Sequence, residues 1–349
     1  MGAAIAQSRR IELHIGISPH EESDMFIMGL DIGYSNLKVV FGEPGNRQEA
    51  VLPVGAGPAT LMPRNTFGGA VDAIYVDVDG EPYVAGVEPD RLQGWARELN
   101  DSYITSKAYK ALFYAALSIS GQEVIDRLVT GLPVSHYNDK YISKLVDMMQ
   151  GEHQIAPKVS LEVKEVLVVP QPGGAYHHTF ENISDKSILE LISFGRSVVI
   201  DPGYFSVDYV ALTEGEIRYL SSGSSLEAMS FLMKATSEEI QKDYSVAPSV
   251  ESLEKAVRGN RPFIVHNGRK VELASYLKKA EEAVAPIAMT EVKNTMRKDG
   301  HGADVLIIAG GGANFYKKAA ETIFPDAVVV VPENPVIANA DGFWHLGAV

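Results

Sequence analysis

The chain has 349 residues, more than one ordinary core accommodates and a length that suits two domains. Hydrophobic residues make up 46% and charged residues 22%, which excludes intrinsic disorder, and the absence of cysteine excludes disulfides, thiolate metal sites and cysteine nucleophiles. A net charge of -14 disfavours a broad electrostatic grip on nucleic acid, so any link to DNA is expected to run through a partner.

Residues 1–24 lack the apolar centre of a secretory signal and are expected to be an N-terminal tail. No apolar run approaches the roughly 20 residues of a spanning helix, so the expectation is a cytoplasmic protein without membrane contact. Apolar, β-rich runs then alternate with helical patterns, which predicts an α/β architecture. Strands are expected at 26–30, 37–41, 73–78, 127–130, 163–169, 197–200, 207–212, 305–309 and 327–331. Helices are expected at 106–119, 138–149, 225–243, 271–298 with a kink at Pro286, and 315–323. Gly and Pro cluster at 42–69 as turns between edge strands, and 225–298 reads as a helical lobe. A strand, Asp-x-Gly turn, strand unit occurs near residue 31 and again near residue 201, which suggests a duplicated fold.

The first unit places Asp31 at the end of a buried run, followed by Gly33, Tyr34, Ser35, Asn36 and, seven residues after the acid, Lys38. The pattern suits a polyphosphate. Gly33 permits a tight turn whose backbone amides face an anion, Ser35 and Asn36 add short donors, and Lys38 returns a point charge. Asp31 would orient water around Mg²⁺, which keeps several of its waters. Taken alone, these residues read first as an ordinary hairpin turn, since Asp and Gly are what any turn prefers.

Next in the chain, Gln171 stands between Pro170 and Pro172 at a strand end. A stiffly held amide can place the attacking water in phosphoryl transfer, though a plain turn residue is an equal alternative. The second unit has Asp201, Gly203, Tyr204, Phe205 and Ser206, with Asp208 at the seventh step where the first unit has lysine. This fits a loop serving the far side of the phosphate chain and the metal. The third element is an apolar strand running into Gly310, Gly311 and Gly312, with Asn314 opening a helix. Three glycines let a flat base and its ribose approach the backbone. It is neither a P-loop nor a dinucleotide fingerprint. His177 and His178 are placed on a strand edge with side chains on opposite faces, which argues against joint metal ligation. Tyr103, Tyr109, Phe113 and Tyr114 fall at helical spacing and read as core.

These elements in this order resemble the actin, sugar kinase and heat-shock ATPase superfamily, with connecting segments at 128–137 and 335–344. The Thr-Gly-Leu-Pro-Val string at 130–134 and the Ala-Asn-Ala-Asp-Gly-Phe string at 338–343 resemble the plasmid-segregation actins of the ParM/StbA type, including PRTRC system protein D. The resemblance implies an actin-like, ribonuclease H-like duplicated fold with two domains around a nucleotide cleft. The first domain would hold residues 25–185 and 335–349, and the second 186–334. It further implies that Asp31 and Asp201 organise Mg²⁺, Lys38 contacts phosphate, Gln171 positions the water and Gly310, Gly311 and Gly312 meet the adenosine of ATP, with GTP left open. Polymerisation into filaments, ATP hydrolysis and a DNA-bound adaptor on a plasmid centromere are the implied activity and partners. Pro202, Tyr204 and Phe205 depart from the Gly-Thr-Thr run common in the superfamily, leaving Ser206 as that loop's hydroxyl.

The competing expectation is a small-molecule kinase of the same superfamily. Such an enzyme needs a general base, and no acid-bearing loop between 130 and 200 stands out to supply one.

Overall fold

The computed structural model describes residues 25–63, 73–95, 97 and 102–349. The tail expected at 1–24 lies outside them.

The chain begins with a meander of β1 (Ile27–Ile32), β2 (Asn36–Glu43) and β3 (Asn46–Pro53), followed by a small antiparallel sheet of β4 (Gly55–Pro58), β5 (Ile74–Val78) and β6 (Glu81–Val87). Helix α1 (Lys107–Ser120) is started by the Ser106 side chain, which accepts from the Tyr109 amide, and ended by Gly121 in the left-handed region. Then come β7 (Val124–Leu132), α2 (Asp139–Met149), β8 (Gly151–Ala156), β9 (Val159–Pro170) and α3 (Gln171–Asn182). The second half runs α4 (Lys186–Phe194), β10 (Arg196–Pro202), β11 (Val207–Thr213), β12 (Glu216–Ile217) and β13 (Gly223–Ser225). Helices α5 (Met229–Tyr244) and α6 (Val250–Arg258), hairpin β14 (Phe263–His266) with β15 (Arg269–Glu272), and α7 (Ala274–Met296) follow. The chain ends with β16 (Val305–Ile308), α8 (Ala313–Ile323), β17 (Val328–Val330) and α9 (Ala338–Gly347).

Two large sheets share one plan. The first is ordered β3-β2-β1-β7-β9-β8 and the second β12-β11-β10-β16-β17. In each, the leading strand pairs antiparallel with the next strand and parallel with a later one, β1 with β2 and β7, β10 with β11 and β16. β1 and β10 are buried along their whole length because both faces of each sheet are covered. On one face, Met28, Leu30 and Val39 pack with Leu112 and Phe113 of α1, and Val198 and Ile200 pack with Leu232 of α5 and Met289 of α7.

The opposite faces meet in the middle of the molecule. Ala175 of α3 lies with Val199, Val210 and Ile307 of the second sheet, whereas Ala340 and Trp344 of α9 lie with Ile27 and Val40 of the first. The two helices press backbone on backbone: a Cβ on Gly342 would stand 1.7 Å from the Gly174 carbonyl oxygen. Only glycine fits at that crossing.

Several elements depart from the sequence reading. The segment at 335–344 is mostly helix α9, and the histidine pair sits on α3 rather than on a strand edge. Of residues 42–69, read as turns between edge strands, 42–63 contribute β3 and β4, and 64–69 lie outside the described residues. The expected helical lobe is interrupted by the β14–β15 hairpin, so α7 starts at Ala274, with Pro286 inside it. α6 is a separate helix that the sequence reading did not resolve.

Candidate functional site

The two Asp-x-Gly turns are built alike. The Gly33 N–H donates to the Asn36 carbonyl at 3.0 Å and the Gly203 N–H to the Ser206 carbonyl at 2.9 Å. Directly across each antiparallel pair, Asp31 faces Lys38 and Asp201 faces Asp208. A cavity of about 750 Å³ separates the turns, within the size range of small-molecule sites. Gly33, Tyr34, Ser35, Asn36 and Lys38 border it from the first unit, and Asp201, Gly203, Tyr204, Phe205, Ser206 and Asp208 from the second. Gln171, Gly311, Gly312 and Asn314 border it as well.

Asp31 and Gly310 stand one step back. The Asp31 carboxylate accepts from Lys38 Nζ at 2.7 Å and from Gln171 Nε2 at 2.8 Å, so it orients both side chains. Gly310 has φ +82°, and a Cβ there would lie 2.0 Å from Asp201 Oδ1. Its role in the fold is therefore to let Asp201 in.

The electrostatics join the two units. Burial disfavours the Lys38 charge, but Asp31 and Asp201 outweigh it and hold the ammonium pKa above its ordinary value. Burial pushes the Asp201 carboxyl up to about 6, helped by Asp31 and Asp208 and opposed by Lys38 and Asn339. Burial likewise raises Asp208, against hydrogen bonds from Ser206 and Ser224. Ser206 Oγ donates to Asp208 Oδ2 at 2.6 Å, so the second turn's hydroxyl is already engaged by its own strand pair.

Aromatic rings sit at the mouth, where the second loop departs from the expected small residues. Tyr34 stacks on Tyr103 with centroids 4.8 Å apart and meets Phe205 of the opposite turn at 5.2 Å. Tyr103, read from sequence as core, is buried and also donates its hydroxyl to the Gly33 carbonyl at 3.1 Å.

Sequence reasoning missed Asn339 and Glu254. Asn339 Nδ2 donates to Asp201 Oδ2 at 2.6 Å while its Oδ1 accepts from the Ala175 amide at 3.2 Å, so α9 and α3 together hold the acid. Glu254, on α6, accepts from Ser35 Oγ at 2.6 Å. Asn339 lies within the Ala-Asn-Ala-Asp-Gly-Phe string at 338–343, whereas Glu254 carries no local signal. His178, by contrast, is explained structurally, with Nδ1 2.6 Å from Asp341 Oδ2.

A divalent cation fits this donor set on one condition. Among the described residues no three His, Asp or Glu side chains converge as a metal site. An ion between Asp31 and Asp201 would therefore keep most of its water, as Mg²⁺ does. The buried Asn36 Oδ1, without a hydrogen-bond partner among the described residues, is an acceptor suited to such water.

Fold and site together define a cleft architecture of the actin type. Residues 29–174 match the N-terminal domain of actin-like proteins, and residues 199–322 match the C-terminal part of the archaeal MreB-like actin homologue. The chain is an actin-like protein. Among solved structures, the archaeal actin homologue Ta0583 superposes with a TM-score of 0.72 at 21% identity, covering 93% of this chain and 99% of that one. A 15-stranded ParM filament from Clostridium botulinum matches with a TM-score of 0.69 at 20% identity, over 93% and 99%. Bacillus thuringiensis ParM with ATP matches with a TM-score of 0.64 at 13% identity, over 93% and 98%. At these identities the likeness concerns the fold. No curated protein sequence matches the chain. Among the described residues no helix is long and apolar enough to cross a membrane.

Proposed function

We propose that the protein is a filament-forming ATPase that binds MgATP between two domains, residues 25–185 with 335–349 and residues 186–334. The observation that carries this reading is the meeting of two matched turns across one cavity, with Lys38 drawn to the acids of both. Triphosphate oxygens would lie between turns 33–36 and 203–206, with the Lys38 ammonium on them. The backbone at Gly311 and Gly312, with Asn314, takes the base and ribose. When bound, Mg²⁺ neutralises phosphate charge, its water held by Asp31 and Asp201.

Gln171 is the residue proposed to orient the attacking water. Its amide is held by Asp31, and an amide suffices because phosphoryl transfer depends on positioning and charge stabilisation rather than a strong base. Water attacks the terminal phosphorus, and ADP leaves with phosphate released. Related structures include an ADP complex, an ATP complex and a filament, which supports nucleotide-coupled, head-to-tail assembly here. The finer reading is plasmid segregation in the cytoplasm, with DNA reached through a small adaptor because the chain itself is acidic.

The test is MgATP-dependent light scattering, electron microscopy and phosphate release on one preparation, with GTP in parallel. Filaments and phosphate release are expected with ATP. A protein that stays monomeric and releases no phosphate with either nucleotide would overturn the reading.

A further inference from the structure

Helix α6 faces the first lobe across the cavity mouth. Its Ser249 cap starts it, Leu253 and Ala256 anchor it in the second core, and Glu254 and Arg258, four residues apart, share the face turned to the cavity. Glu254 is buried, with 7% of its surface exposed. Its carboxylate accepts from Ser35 Oγ at 2.6 Å, from Arg97 Nη2 at 2.9 and 3.1 Å, and from Arg258 Nη1 at 3.2 Å. Arg258 Nη1 also reaches Ser35 Oγ at 3.3 Å, and its other nitrogen pairs with Glu88. A second pair, Lys255 with Asp90, lies alongside. The Arg97 guanidinium stands 3.8 Å over the Tyr204 ring, so one side chain of the first lobe touches both α6 and the second turn.

Every one of these contacts spans the mouth or supports one that does. A carboxylate and two guanidiniums are dehydrated there, which is tolerable only while the partners stay together, since removing one leaves an uncompensated buried charge. Closed, the Glu254 carboxylate and both guanidiniums each have an oppositely charged partner in the protein; half-open, those charges are neither paired nor solvated. Such an arrangement favours two discrete states, and its hub, Ser35, belongs to the turn proposed to hold phosphate.

We infer that Glu254 is a positioning residue: through Ser35 and Arg258 it clasps α6 to the first phosphate turn, holds the cleft shut and sets the rate at which nucleotide escapes. The rate-setting part rests on the nucleotide reading above. The closure part does not.

The chain's lack of cysteine makes the test direct. Thr60→Cys and Arg269→Cys, both at exposed positions on opposite lobes, accept a donor and acceptor dye for energy transfer in the full chain. Without nucleotide, Glu254→Ala should lower transfer efficiency, Glu254→Gln should fall between, and Glu254→Asp should restore part of the loss. In the same proteins, dissociation of a fluorescent N-methylanthraniloyl ATP should accelerate about tenfold or more in Glu254→Ala, an effect on the off-rate. Single-turnover cleavage should change far less than release does, a split that general destabilisation would not produce. If Glu254→Ala fails to fold, Arg258→Gln supplies the same readouts at a less deeply buried position. Unchanged energy transfer in a folded variant overturns the clasp, and altered transfer with unchanged release overturns its control of escape. An unsubstituted protein that binds no ATP analogue while the transfer response holds would sink the nucleotide reading and leave the clasp standing.

Discussion

Asp31 and Lys38 face each other across the first strand pair, Oδ2 to Nζ 2.7 Å, in a pair whose side chains are 3% and 9% exposed. The corresponding positions of the second unit hold two acids, Asp201 and Asp208. Lys38 therefore serves Asp31 of its own unit and Asp201 of the other. Lys38→Ala should leave buried carboxylates uncompensated and destabilise the protein by about 3–5 kcal/mol. Urea denaturation checks this; a loss below about 1 kcal/mol would mean that water reaches Asp31 and Asp201 freely.

Gln171 tests the chemistry apart from binding. Its amide nitrogen is held by Asp31 at 2.8 Å at the start of α3. Gln171→Ala should lower ATP turnover about 100-fold, in line with losing a group that positions a reactant, while ATP affinity stays within about threefold. Phosphate release and equilibrium titration on the same variant decide it, and undiminished turnover removes Gln171 from the mechanism.

Two glycines separate folding from binding. Gly342→Ala sets a methyl against the Gly174 carbonyl and should prevent folding or cost more than about 3 kcal/mol, as backbone cannot step aside cheaply. Nothing lies within 4 Å of a Cβ at Gly311, which borders the cavity. Gly311→Ala should melt within a few degrees of the unsubstituted protein yet bind ATP more weakly. Equal affinity would move the base away from the triple glycine.

Acid sensitivity should trace to Asp341. Burial alone would raise its carboxyl, but His178, His345 and Arg47 outweigh that and hold it well below the usual carboxylate range. An acid with a depressed folded-state pKa stabilises fully above its unfolded value, about 4, and loses that stabilisation as pH falls below it. Asp341→Asn should thus be less stable than the unsubstituted protein by about 2 kcal/mol at pH 7, the gap narrowing below about pH 4. Denaturation midpoints across that range give the result; a constant gap assigns the loss to packing instead.

The site was legible where the backbone has unusual requirements. Two Asp-x-Gly turns and a triple glycine stand out as patterns, Gly310 and Gly312 leave no room for a side chain, and the strands before the two turns are apolar because they are central. The crossing helices hid for the opposite reason. Pro172, Gly173 and Gly174 look like a loop, yet proline is tolerated in a first helical turn and Gly174 is demanded by the helix lying on it. Similarly, Asp341 and Gly342 mimic a turn within α9. The Ser35 to Glu254 contact joins positions 219 residues apart, and only tertiary structure brings them together.

The glycine crossing also sets a gear ratio. Gln171 opens α3 three residues before Gly174, about 4.5 Å along the helix axis. A rotation of one sheet against the other about Gly174 and Gly342 would carry the far ends of the lobes through a long arc and Gln171 through a short one. On such a pivot, a large displacement at the edge and a nearly constant distance from Gln171 to Asp31 would be compatible.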